Sequence, residues 1–192
     1  MAAAYPVTFD VEYPESLSRW KVVFKPWLLA LPAYFMMYMI GSAVQYVAPF
    51  AFFSILFRRK YPRWTFDFLL AYYRYQYRVI AYGLNLWRDE FPALEDPQAV
   101  SLDIEYPEPE TLNRWLPLVK WLLAIPHLIV LLFLFFAEFA VLVIAWFAIL
   151  FTARFPKGLF DFTVGINRWG MRVTAYAFLL MCDEYPPFSL QP

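Results

Sequence analysis

Lys120-Trp-Leu-Leu-Ala-Ile-Pro-His127-Leu-Ile-Val-Leu-Leu-Phe-Leu-Phe-Phe-Ala-Glu138-Phe-Ala-Val-Leu-Val-Ile-Ala-Trp-Phe-Ala-Ile-Leu-Phe-Thr-Ala-Arg154 carries one charge, Glu138, between its terminal cations. An apolar stretch longer than about 18 residues is long enough to enter a bilayer. A second stretch, from Lys25 to Arg58, has no charge inside it at all. The two runs explain a composition that is 62% hydrophobic and 22% aromatic, well beyond the roughly half-apolar content of a soluble domain. The 16 basic and 16 acidic residues cancel, and nothing resembles the basic footprint of a nucleic-acid binder. The first ten residues lack a basic segment followed by an apolar one, so no cleavable signal peptide is expected and insertion would use an internal segment.

Outward from the runs, the chain repeats itself. Val7-Thr-Phe-Asp-Val-Glu-Tyr-Pro14 recurs as Val100-Ser-Leu-Asp-Ile-Glu-Tyr-Pro107, and Leu28-Leu-Ala-Leu-Pro32 as Leu122-Leu-Ala-Ile-Pro126. Phe66-Asp-Phe68 matches Phe160-Asp-Phe162, Arg74 and Arg78 match Arg168 and Arg172, and Asp89-Glu-Phe-Pro92 matches Asp183-Glu-Tyr-Pro186. The expected organisation is therefore two copies of one unit, 1–94 and 95–192, joined by the polar linker Glu95-Asp-Pro-Gln98.

Each unit reads as three elements. Val7, Phe9 and Val11 alternate with Thr8, Asp10 and Glu12, the period of a half-buried strand, and the two copies of that strand are expected to pair with each other outside the bilayer. The apolar run follows. Every Lys and Arg flanks or follows a run, so keeping them on one side of a membrane requires an even number of crossings per copy. Gly41, Ser42 and Gln45 in the first run, and Glu138 in the second, then read as hairpin tips. The legs would be 27–43 and 46–57, then 121–137 and 139–153, some short enough to be re-entrant; Phe135-Phe-Ala-Glu-Phe139 contains no turn former, so one long tilted helix is the alternative for the second run. The third element, 64–87 and 159–181, places Arg74 with Arg78 and Arg168 with Arg172 on one helical face among aromatic residues, as an interfacial amphipathic helix does. A helix packed inside the protein, its Arg pairs neutralised by Asp67, Asp89, Asp161 or Asp183, fits the same pattern. The fold class expected is mainly α and integral to a membrane: a tandem repeat of short strand, transmembrane or re-entrant helical hairpin, and amphipathic interfacial helix.

The second copy, with Leu-Leu-Ala-Ile-Pro-His127, Ala-Trp-Phe-Ala-Ile-Leu-Phe151, Arg154-Phe-Pro-Lys-Gly-Leu-Phe-Asp-Phe162, Asn-Arg-Trp169 and Tyr-Pro-Pro-Phe188, resembles the bacterial membrane family catalogued as domain of unknown function 4389. The first copy departs from it, with Ala33 where His127 stands, Trp64 for Gly158 and Tyr75 for Trp169. The resemblance implies a membrane location and carries no catalytic residue across.

Chemistry in the sequence is sparse. His127 and Glu138 are the ionisable residues within the second run, and on one helix they would stand about 16 Å apart along its axis, too far for a catalytic pair. His127 reads mainly as a helix-entry residue; Glu138, as an intramembrane carboxylate, is the stronger functional candidate, although Val44 replaces it in the first copy. One Cys and one His exclude a four-ligand zinc site within the chain, and no phosphate-cradling or hydrolase motif occurs. No cofactor, metal or enzyme activity is expected. The expectation is a non-catalytic accessory or scaffold subunit of a larger complex in the bacterial inner membrane, both termini cytoplasmic. Its partners would be lipids, other membrane subunits or itself, with Arg74, Arg78, Arg168 and Arg172 as interfacial or assembly residues. The alternatives are an oligomeric lipid- or small-molecule-handling protein or transporter, and an enzyme subunit moving protons through Glu138 or His127.

Overall fold

A computed structural model describes residues 5–95, 97–108 and 112–192; Met1 to Ala4 and Asp96 of the linker lie outside the described residues. The alternating segments form strands β1 (Val7–Val11) and β2 (Val100–Ile104), and each buries every second side chain. They pair antiparallel, Val7 opposite Ile104, Phe9 opposite Leu102 and Val11 opposite Val100. Phe9 and Leu102 are equivalent positions of the two copies, so this register centres a local twofold axis on them, perpendicular to the sheet. The inward side chains are almost wholly removed from solvent, each worth about 1.5–3 kcal/mol relative to exposure. Thr8, Asp10, Ser101 and Asp103 form the polar outer face.

After β1 come a short helix α1 (Arg19–Phe24) and a π-helical turn (Lys25–Leu29), then α2 (Leu31–Arg58) and α3 (Arg63–Gly83). After β2, a 3-10 turn (Leu116–Leu118) and α4 (Lys120–Leu123) lead into α5 (Ile125–Thr152) and α6 (Lys157–Ala177). The copies agree closely: α2 and α5 have 28 residues each, and α3 and α6 have 21. Both long helices end on a left-handed residue, Arg59 and Ala153, and Leu86 and Leu180 repeat that conformation beyond α3 and α6.

The apolar runs are therefore single helices, and the expected hairpin within each run is not formed. Gly41 stays helical because it faces α3: a Cβ there would lie 2.5 Å from the Tyr72 hydroxyl. Ser42 returns its hydroxyl to the carbonyl of Met39, one turn earlier, which satisfies it without breaking the helix. Glu138 is turned inward rather than toward a distant surface. The chain does reverse, one element later. The turn lies between Arg59 and Pro62 in the first copy and between Ala153 and Pro156 in the second, where proline favours an extended conformation in the preceding residue and so terminates the long helix. At about 1.5 Å per residue, α2 and α5 are each about 42 Å long, and both are apolar enough to cross a membrane.

The copies interlock. β1 packs on α6 and β2 on α3, so each strand covers a helix of the other copy. Tyr13 donates to the carbonyl of Phe155 and Tyr106 to that of Tyr61, each at 2.5 Å, the same bond in both directions across the axis. Trp87 donates its indole N–H to Thr163 Oγ1 at 2.9 Å, and the Tyr61 hydroxyl donates to Leu179 O at 2.8 Å. Sandwiched under the strands and against α5, α6 is buried along most of its length, which corrects its expected place as an interfacial helix; α3 keeps a half-exposed flank.

Candidate functional site between the repeats

The shared Arg residues hold the sheet on the helices. Arg168 on α6 donates Nε to Phe9 O and Nη2 to Asp10, and Arg74 on α3 donates Nε to Leu102 O and Nη2 to Asp103. Arg172 reaches Ser189 O and Gln191 O of the C-terminal segment, and Arg78 reaches Ala93 O and Leu94 O. A guanidinium suits this work, since its fork of donors satisfies carbonyls that the strand pairing leaves open. The expected neutralisation by Asp67, Asp89, Asp161 and Asp183 does not occur. Asp67 and Asp161 pair with Arg63 and Lys157 one turn away, and Asp89 and Asp183 serve two lysines.

Those lysines are the feature the sequence reading missed. Lys25 is 1% exposed and Lys120 is fully buried. Lys120 Nζ lies 2.7 Å from Asp183 Oδ1, donates to Cys182 O and sits over the Tyr176 ring. Lys25 repeats the arrangement with Asp89, Arg88 O and the Tyr82 ring. The other carboxylate oxygen accepts a backbone N–H at the start of its own copy, Ser18 for Asp89 and Asn113 for Asp183, both at 2.6 Å. Burial pulls both ammonium groups below the ordinary lysine range, and the aspartates oppose that shift. Each Lys–Asp pair thus pins the loop after the amphipathic helix to the entry of the long helix. The signal was present as a Lys before each apolar run and an Asp before each Glu-(Phe/Tyr)-Pro.

His127 is wholly buried in the first turn of α5. Its Nδ1 accepts the Trp169 indole N–H at 3.0 Å, which leaves the proton of the neutral ring on Nε2, and its ring stacks on Phe188 at 3.8 Å between centroids. Tyr185 closes the box and donates its hydroxyl to Leu123 O. In the first copy Tyr75 reaches Ala33 O and occupies the equivalent space.

Glu138 is 5% exposed at the middle of α5. Its Oε1 accepts amide N–H groups from Asn167 of α6 at 2.5 Å and from Asn85, beyond α3, at 3.3 Å. Its Oε2 accepts no hydrogen bond from the described residues. Glu138 lines a groove of about 660 Å³ between the copies, walled by Trp27 and Leu84 on one side and Phe135, Phe139 and Trp146 on the other. Neither asparagine has a counterpart in the other copy, where Leu179 and Tyr73 stand, so the polar centre breaks the internal symmetry. His127 and Glu138 are not brought together: each has its own partners.

Among the described residues no group of three or more His, Cys, Asp or Glu is placed to hold a metal ion. Cys182 is buried, with Sγ 3.4 Å from the Tyr5 hydroxyl, and burial raises its thiol pKa. The family model described as a domain of unknown function (DUF4389) matches the chain twice, over residues 19–93 and 115–189. No curated protein and no solved structure matches.

Proposed function

We propose, for a chain that belongs through both of its repeats to the family described as a domain of unknown function (DUF4389), a non-catalytic accessory or scaffold role in a membrane. The observation that carries this reading is the surface of the long helices. Of its 28 residues α2 buries only Ala33, Ala51 and Ile55, while residues such as Phe35, Tyr38, Phe53 and Phe57 point outward. On α5, Phe133, Phe136, Phe147 and Phe151 do the same. An apolar surface of this extent requires a bilayer or another apolar protein.

The polar outer face of the sheet and the exposed apolar helices supply the two sides such a protein needs. A twofold perpendicular to the sheet, lying along the membrane normal, keeps both copies in one orientation. Keeping the termini and the positively charged turns together on the cytoplasmic side of the inner membrane, as the Lys and Arg distribution favours, requires α2 and α5 to enter the bilayer without each crossing it once. The shared Arg and Lys residues are engaged within the fold, which leaves assembly to the apolar faces of α2 and α5. A second reading, a lipid- or small-molecule-handling protein, is favoured by the unpartnered Glu138 oxygen in the inter-repeat groove.

Alkaline extraction of membranes separates embedded from surface-bound protein, and the chain is expected to remain in the pellet. Cysteines at Gln98 and Lys157, tested in a Cys182→Ser background, should both resist an impermeant thiol reagent in intact cells and both react after permeabilisation. Release at alkaline pH would overturn the embedded reading; labelling of one site alone in intact cells would overturn the common orientation.

A further inference from the structure

Glu138 is surrounded by groups that fix one of its oxygens and leave the other to something the chain does not supply. Asn85 and Asn167 both donate to Oε1, which leaves Oε2 as the open acceptor of the side chain. Glu138 lines a groove whose other lining residues are apolar apart from Asn85, with no Lys or Arg among the described residues that line it. Lys25, adjacent in sequence to the groove residue Pro26, is committed to Asp89 and Arg88 O. A carboxylate in such surroundings is stabilised chiefly by a cation or a strong hydrogen-bond donor brought in from outside. The groove volume, about 660 Å³, is that of a small-molecule site, and it opens where Trp27 and Phe139 are exposed.

We infer that this groove binds a single-chain amphiphile with an amine head, the ammonium pairing with Glu138 Oε2 and the alkyl chain lying between Trp27, Phe139 and Trp146. The inference rests on the reading that the inter-repeat groove holds a small molecule, and adds the chemistry of its head. The Glu138 centre gives the ligand one orientation, because the symmetry-related position is Val44.

The test uses the full chain in phosphatidylcholine nanodiscs, titrated calorimetrically with dodecylamine, dodecan-1-ol and dodecanoate against empty nanodiscs. Dodecylamine should bind at least about tenfold more tightly than dodecan-1-ol, the gain of one charge-assisted hydrogen bond, and dodecanoate should bind weakest. Glu138→Gln, which retains an acceptor for the two asparagines, should abolish the preference for the amine. Val143→Trp, on the exposed wall of the groove, should weaken the amine and the alcohol alike. Equal affinities for amine and alcohol, or a preference that survives Glu138→Gln, would overturn the amine assignment while the groove still binds. No binding of any of the three beyond the empty nanodisc would overturn the groove as a small-molecule site.

Discussion

Asp183→Ala is expected to destabilise the protein by about 3–5 kcal/mol, because it leaves the Lys120 ammonium buried without its counter-ion. The loss also removes the acceptor of the Asn113 N–H, so the entry to α4 loosens with it. Asp89→Ala should behave alike through Lys25 and Ser18. Unfolding of the detergent-solubilised protein by denaturant measures both. Replacing the pair together, Lys120→Met with Asp183→Leu, should recover most of the loss, since desolvation of the two charges consumes much of what their attraction provides. A single substitution costing under about 1 kcal/mol would show that the pair behaves as a solvated surface bridge.

The second large effect is expected at Arg168. Arg168→Ala removes bonds to Phe9 O, Leu190 O and Asp10 at once, and hydrogen bonds to a charged group contribute about 1.5–3 kcal/mol each. Because these anchors are cooperative, the expected total is about 3–5 kcal/mol rather than their sum. Arg168→Lys should restore only part, since an ammonium cannot serve three divergent acceptors with one planar fork. Arg74→Ala should cost less, its side chain being 41% exposed. Hydrogen exchange at the amides of β1 and β2 locates the effect: protection should fall in both strands together, because among the described residues each strand pairs with the other alone.

What the sequence made legible was what repeats or alternates. Val7, Phe9 and Val11 announced a strand and the second copy supplied its partner, whereas the antiparallel register, with Phe9 opposite Leu102, is visible only in the structure. The Arg pairs were recognised as a helical face, but their partners were assigned to the nearest aspartates in sequence. The actual acceptors include strand carbonyls, and a carbonyl leaves no trace in the sequence. The long helices were misread where polar or small residues interrupt them. Gly41 is small because Tyr72 presses on it, and Glu138 is polar because Asn85 and Asn167 meet it. Both causes lie on other elements. The buried lysines were hidden by their position, since a Lys at the edge of an apolar run reads as a headgroup anchor until Asp89 and Asp183 are found beside it.

In the proposed membrane role the outward faces of α2 and α5 are covered by lipid while the outer face of the sheet is covered by water. Nitroxide labels at Tyr38, Phe53, Phe133 and Phe147, and at Thr8 and Ser101, in chains reconstituted in vesicles, test it by collision with oxygen and with a water-soluble nickel chelate. The helix labels should relax with oxygen and be shielded from nickel, and the strand labels should show the reverse. Nickel access along α2 and α5 equal to that at Thr8 and Ser101 would contradict the account.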